Sequence, residues 1–96
     1  MPKPIKFKKQ SFWAGALRDT TPRSGDALSN GSTVLLAKPL PKQEGLCHGS
    51  IVLCQTYTEF VTWYYNEDTA GCDHGHYYPF TDDGLQAAFE DWCKRT

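Results

Sequence analysis

The strongest signal along the chain is a change in the spacing of its apolar positions. Between residues 33 and 80 they run or alternate with the period of strands, and after residue 81 they recur with the period of a helix. Thr33–Ala37, TVLLA, reads as a strand that ends before Pro39 and Pro41, which cannot donate to a ladder. SIVLCQ and TEFVTWYYN are strand-like runs either side of Thr56 and Tyr57, either one long bent strand or two. In the second run Phe60, Thr62 and Tyr64 share one face and Val61, Trp63 and Tyr65 the other. Bulk on both faces predicts a strand that is central in its sheet or packed on both sides. NEDTAGCD supplies turn residues, and HGHYYPF reads as the partner strand, placed at an edge or ended by Pro79.

Leu85, Ala88, Phe89 and Trp92 then fall at i, i+3, i+4 and i+7, the stripe of an amphipathic helix. Thr81 or Asp82 suits its N-cap, Asp82 and Asp83 suit its positive end, and Lys94 and Arg95 suit its negative end. Gln86, Glu90 and Asp91 fall on the opposite face. The prediction is a small single α+β domain: an antiparallel sheet of about three to five strands with one C-terminal amphipathic helix packed on it. Residues 58–95 form its strand–turn–strand–helix unit. Within 11–96, residues 11–18, SFWAGALR, fit a helical turn or a short strand equally, and Gly15 weakens both. Residues 20–32 are rich in turn formers, and the stretch from Lys38 to Ser50 reads as a loop. Residues 1–10 read as a basic extended arm or edge strand, with Ile5 and Phe7 alternating with Lys6 and Lys8.

Charge sharpens this picture. Residues 1–42 carry eight Lys and Arg against Asp19 and Asp26, net +6; residues 43–96 carry Lys94 and Arg95 against nine acids, net −7. Such polarisation suits a charged partner or mutual neutralisation in the fold. The start of the chain lacks the apolar core of a secretory signal, and no apolar run is long enough to span a bilayer. A cytoplasmic protein with no membrane partner, monomeric or homodimeric, is the expectation. Cys47, Cys54, Cys72 and Cys93 are then expected as free thiols.

Candidate chemistry centres on CDHGHYYPF, residues 72–80. If residues 72–76 are extended, Cys72, His74 and His76 share one face at about 6.5–7 Å intervals, and Cys47, His48 or Asp73 could add a fourth ligand for zinc. Gly71 and Gly75 fit a bulge or turn as readily as a ligand loop, and His76 is expected as a cross-strand partner of the 60–65 segment. No cofactor is called for, and neither a nucleophile elbow nor a phosphate-binding glycine loop occurs. Lys3, Lys6, Lys8, Lys9, Arg18 and Arg23 form the candidate nucleic-acid surface, with Ile5 and Phe7 interleaved. The converse candidate is an acidic, aromatic partner-binding surface of Tyr64, Tyr65, Glu67, Asp68, Asp73, Tyr77, Tyr78, Asp83, Glu90 and Asp91.

The segment from Glu59 to Arg95 resembles small proteins of phages and mobile elements. The matching residues are Val61, Trp63, Asn66, Gly71, Gly75, His76, Tyr77, Tyr78, Ala87, Phe89 and Trp92, in the order V-x-W strand, turn, GHY-aromatic strand and helix. The resemblance covers under half the chain and carries no catalytic residue. It implies a small accessory protein that binds a host or defence protein complex, as anti-CRISPR proteins do. The function expected is therefore non-enzymatic inhibition of such a factor through the acidic surface, with a nucleic-acid-binding or a zinc-binding protein as alternatives.

Overall fold

The computed structural model describes residues 19–41 and 48–95. The period-two segments form four strands: β1 (Thr33–Pro39), β2 (Gly49–Gln55), β3 (Glu59–Asn66) and β4 (Gly71–Pro79). They pair antiparallel in the order β1-β2-β3-β4, a meander. The helix-period segment forms α1 (Asp82–Lys94), packed across one face of the sheet. This is the predicted small α+β domain.

SIVLCQ and TEFVTWYYN are two strands, separated by a turn that Thr56 closes. Its hydroxyl accepts from the amides of Thr58 and Glu59 and donates to the Glu59 carbonyl. The next turn is short. Asn66 Oδ1 accepts from the amides of Asp68 and Thr69, and Ala70 takes a left-handed conformation with φ 63°. Strand pairing therefore resumes at Gly71, so Gly71, Cys72 and Asp73 belong to β4 rather than to the turn. β1 likewise runs on to Pro39, which an edge strand tolerates at its last position.

Both sheet faces bury apolar side chains. Leu53, Phe60 and Ala88 form the core under the helix, with Leu35, Leu36, Tyr78 and Trp92 against it. Val34, Val52 and Cys54 form a second core on the far face, with Leu28, Ala37, Trp63 and Tyr65 against it. Residues 25–28 hold their place beside β1 through backbone bonds between Val34 and both Gly25 and Asp26. A bulge between Val34 and Leu36 shifts the β1 register. It turns both Leu35 and Leu36 towards the helix side, where strict alternation allows one.

Thr81 caps α1, its hydroxyl accepting from the Gly84 amide at 3.0 Å. The helix meets the sheet along Gly84, Ala88, Asp91 and Arg95 rather than centring on Leu85 and Phe89. Leu85 is 37% and Phe89 43% exposed. The predicted stripe is thus rolled outwards, and its leading residues flank the contact.

Gly84 makes this close approach possible, because a Cβ there would fall on the Pro79 carbonyl. Gly84→Ala gains about 1 kcal/mol of helix propensity but forces helix and strand apart, at about 1–3 kcal/mol or more. We expect a net loss and a melting temperature lower by several degrees in thermal denaturation. An unchanged or raised melting temperature would contradict the packing described.

Candidate functional site

The site begins with the register of β4. A second bulge lies opposite Trp63, where pairing passes from Thr62–His76 to Tyr64–Asp73. His74 occupies it in a left-handed conformation, φ 54°. The bulge reverses the alternation between Cys72 and His76. Cys72 pairs with Tyr65 and lies on the far face, where Asn30 Nδ2 donates to its sulfur at 3.8 Å. His76 pairs with Thr62 and lies on the helix face. The arrangement of Cys72, His74 and His76 on one face is therefore not formed, because the bulged residue breaks the two-residue period. No group of three His, Cys, Asp or Glu side chains converges as metal ligands among the described residues. His48 is turned to Asp68, at 3.5 Å. Cys47 lies outside the described residues.

On the helix face Asp91 is the centre of a polar cluster. Its Oδ2 accepts from Thr62 Oγ1 at 2.6 Å and lies 2.8 Å from His76 Nδ1. Tyr78 is a third hydrogen-bond partner. Arg95, one turn further along, donates to the Thr62 carbonyl and hydroxyl and to the His74 carbonyl. The last turn of the helix is thus fastened to β3, to β4 and to the bulge itself. The Asp91 side chain is 18% exposed. Burial pushes its carboxyl up, but the bonds from Thr62, His76 and Tyr78 prevail and hold it below its ordinary value of 3.8. Trp92 Nε1 donates to the Ile51 carbonyl at 2.9 Å, and Lys38 Nζ lies 4.7 Å over its ring.

The residues of the acidic, aromatic candidate surface do not share one face. Asp83 and Glu90 are exposed on α1, and Asp73 pairs with Tyr64 on the helix side of the sheet. Asp68 is exposed at the β3–β4 turn. Tyr65 and Tyr77 belong to the far face; Tyr77 packs edge-on to Trp63 with ring centroids 6.3 Å apart. Gly75 leaves room for that pair, since a Cβ there would lie 2.6 Å from Trp63 Nε1. Tyr78 is partly buried beneath the helix, and Tyr64 is partly buried with its ring over Gly49. Glu67 and Asp91 are turned inwards. The Glu67 carboxylate accepts from the hydroxyls of Thr20 and Thr21 at 2.8 and 2.9 Å, tying the segment at residue 20 to the β3–β4 turn. Of the nucleic-acid candidates Arg23 is exposed, while Lys3, Lys6, Lys8, Lys9 and Arg18 lie outside the described residues.

Three features escape a reading by pattern. The first is an apolar groove of about 530 Å³ beside α1, lined by Leu35, Leu36, Leu53, Leu85 and Phe89 with Asp82 and Gln86 at its rim. It exists because the helix lies over β2, β3 and β4 and not over β1. The second is Tyr57, 99% exposed at the tip of the β2–β3 turn. The third is the Asp91–Arg95 fastening. Its signal is the small pair Gly84 and Ala88 one turn apart, which marks the face of closest approach. Searches of protein-family models, curated proteins and solved structures find no match to the chain.

Two tests follow from this chemistry. Asp91 is held below its ordinary value, so its ionised form stabilises the fold. That contribution is complete above the unfolded carboxyl's pKa and is lost as pH falls through the folded one. Urea unfolding should show Asp91→Asn weaker than wild type by about 1–3 kcal/mol at neutral pH, with the gap closing below about pH 4. A gap that stays constant with pH would refute the role of the charge. Burial is also the main reason the Cys54 thiol is pushed up to about 12, so it should resist a thiol reagent until the protein unfolds, whereas exposed Cys93 reacts at once. Mass mapping of early labelling on Cys54 would contradict its burial.

Proposed function

We propose that the protein is a non-enzymatic protein-binding module, an accessory protein of a phage or mobile element that inhibits a host or defence factor. The observation that carries this reading is the outer surface of α1. Exposed Asp82, Asp83 and Glu90 share the outside of the helix with exposed Leu85 and Phe89, and Asp82 lines the same groove as both. Apolar side chains rimmed by one sign of charge make an interface core with a steering edge. The acidic rim selects a basic partner surface. The likeness of residues 59–95 to small phage proteins suggests where that partner is found, in a host or defence complex.

The test is a phage plating assay in bacteria that carry a nuclease-based defence system and express the chain. The wild type is expected to restore plating of the targeted phage. The double variant D83K/E90K is expected to lose at least about tenfold of that effect while keeping its fold, as circular dichroism checks. A wild type without effect across a panel of defence systems argues against the inhibitor reading. An effect indifferent to charge reversal argues against the acidic surface.

A further inference from the structure

Adjacent strands lie about 4.8 Å apart, and a helix with its side chains is about 10 Å wide, so one helix spans about two to three strands. Among the described residues the sheet has four strands, and α1 occupies the side of β2, β3 and β4. Among the described residues, none fills the β1 side of this face, which forms an open lane. Its floor is Leu35, Leu36 and Leu53, and its wall is Leu85 and Phe89. The β1 bulge enriches that floor by aiming two consecutive leucines into it.

The two ends of the lane differ in charge. Asp82 lies at the end where α1 begins, with Asp83 next to it, both in the first helical turn. Beyond the groove's lining, Lys38 stands where α1 finishes, its Nζ donating to the Cys93 carbonyl at 3.3 Å and lying over the Trp92 ring. We infer that this groove is the docking site for an amphipathic helix of the partner protein, laid antiparallel to α1. The inference rests on the protein-binding reading above and names the partner's chemistry. Its apolar stripe at i, i+3, i+4 and i+7 fills the leucine floor. Basic side chains in its last turn meet Asp82 and Asp83, and acidic side chains in its first turn meet Lys38. That placement also satisfies the dipole of the incoming helix, which favours anions at its start and cations at its end. Antiparallel packing sets the dipoles of the two helices in opposition.

Two synthetic helical peptides of identical composition and apolar stripe test this on the full-length protein. One carries acids in its first turn and Lys or Arg in its last; the other has the charges exchanged. Fluorescence anisotropy should show the first binding about tenfold tighter, the sum of several charge–dipole and charge–charge contributions. F89D, and separately L85D, should abolish binding; both positions are exposed, and matching circular dichroism melts confirm that the variants fold. D82K/D83K should erase the preference between the peptides. Equal binding, a reversed preference, binding indifferent to F89D and L85D, or no binding of either peptide would each overturn the assignment. The plating assay separates this failure from that of the broader reading. Activity that survives F89D but not D83K/E90K leaves a protein-binding inhibitor that does not use the groove.

Discussion

A single carboxylate sets the rotation of the helix on the sheet. Asp91 gathers Thr62 of β3 with His76 and Tyr78 of β4, and Arg95 answers from one turn away by binding β3 and the β4 bulge. A buried polar group left unmade costs about 1–3 kcal/mol, comparable to what a half-exposed leucine gains by full burial. The polar cluster therefore competes on equal terms with the apolar stripe. The outcome is a helix turned so that Gly84, Ala88, Asp91 and Arg95 face inwards while Leu85 and Phe89 stand at the margin. The open groove and the acidic ridge both follow from that rotation.

The architecture was legible in the chain because its signals are local. Period-two runs broken by turn residues become strands, and a capped, charge-graded, period-3.6 segment becomes a helix. The cross-strand place of His76 beside the 60–65 segment follows from the same alternation, and it pairs with Thr62. The details that failed are those in which one residue upsets a period. His74 takes a left-handed conformation that nothing in its side chain announces, and Cys72 and His76 part to opposite faces as a result. Leu35 looks like one more strand residue, yet it is the extra residue of a bulge.

The acidic surface was partly legible for a related reason. Counting acids within a segment treats each as solvated. Asp83 and Glu90 are, whereas Glu67 and Asp91 each bind hydroxyls from elsewhere in the chain. Those hydroxyls sit 47 and 46 residues away for Glu67 and 29 away for Asp91, so no short window contains the pair. Long-range partnership separates an acid that holds the fold from one that stands in solvent.

The two bulges also bear on how this sheet can change over generations. A regular strand punishes the loss or gain of one residue, because every side chain beyond that point turns over. A bulge has already absorbed such an insertion. Losing His74 would leave Cys72 and His76 on the faces they now occupy, with the Arg95 contact as the chief casualty. β4 and β1 can therefore vary in length where β2 and β3, paired together in unbroken register along seven residue pairs, cannot. The rigid inner hairpin is the part of the molecule whose residue count is fixed, and the edges are where new lengths can be tried.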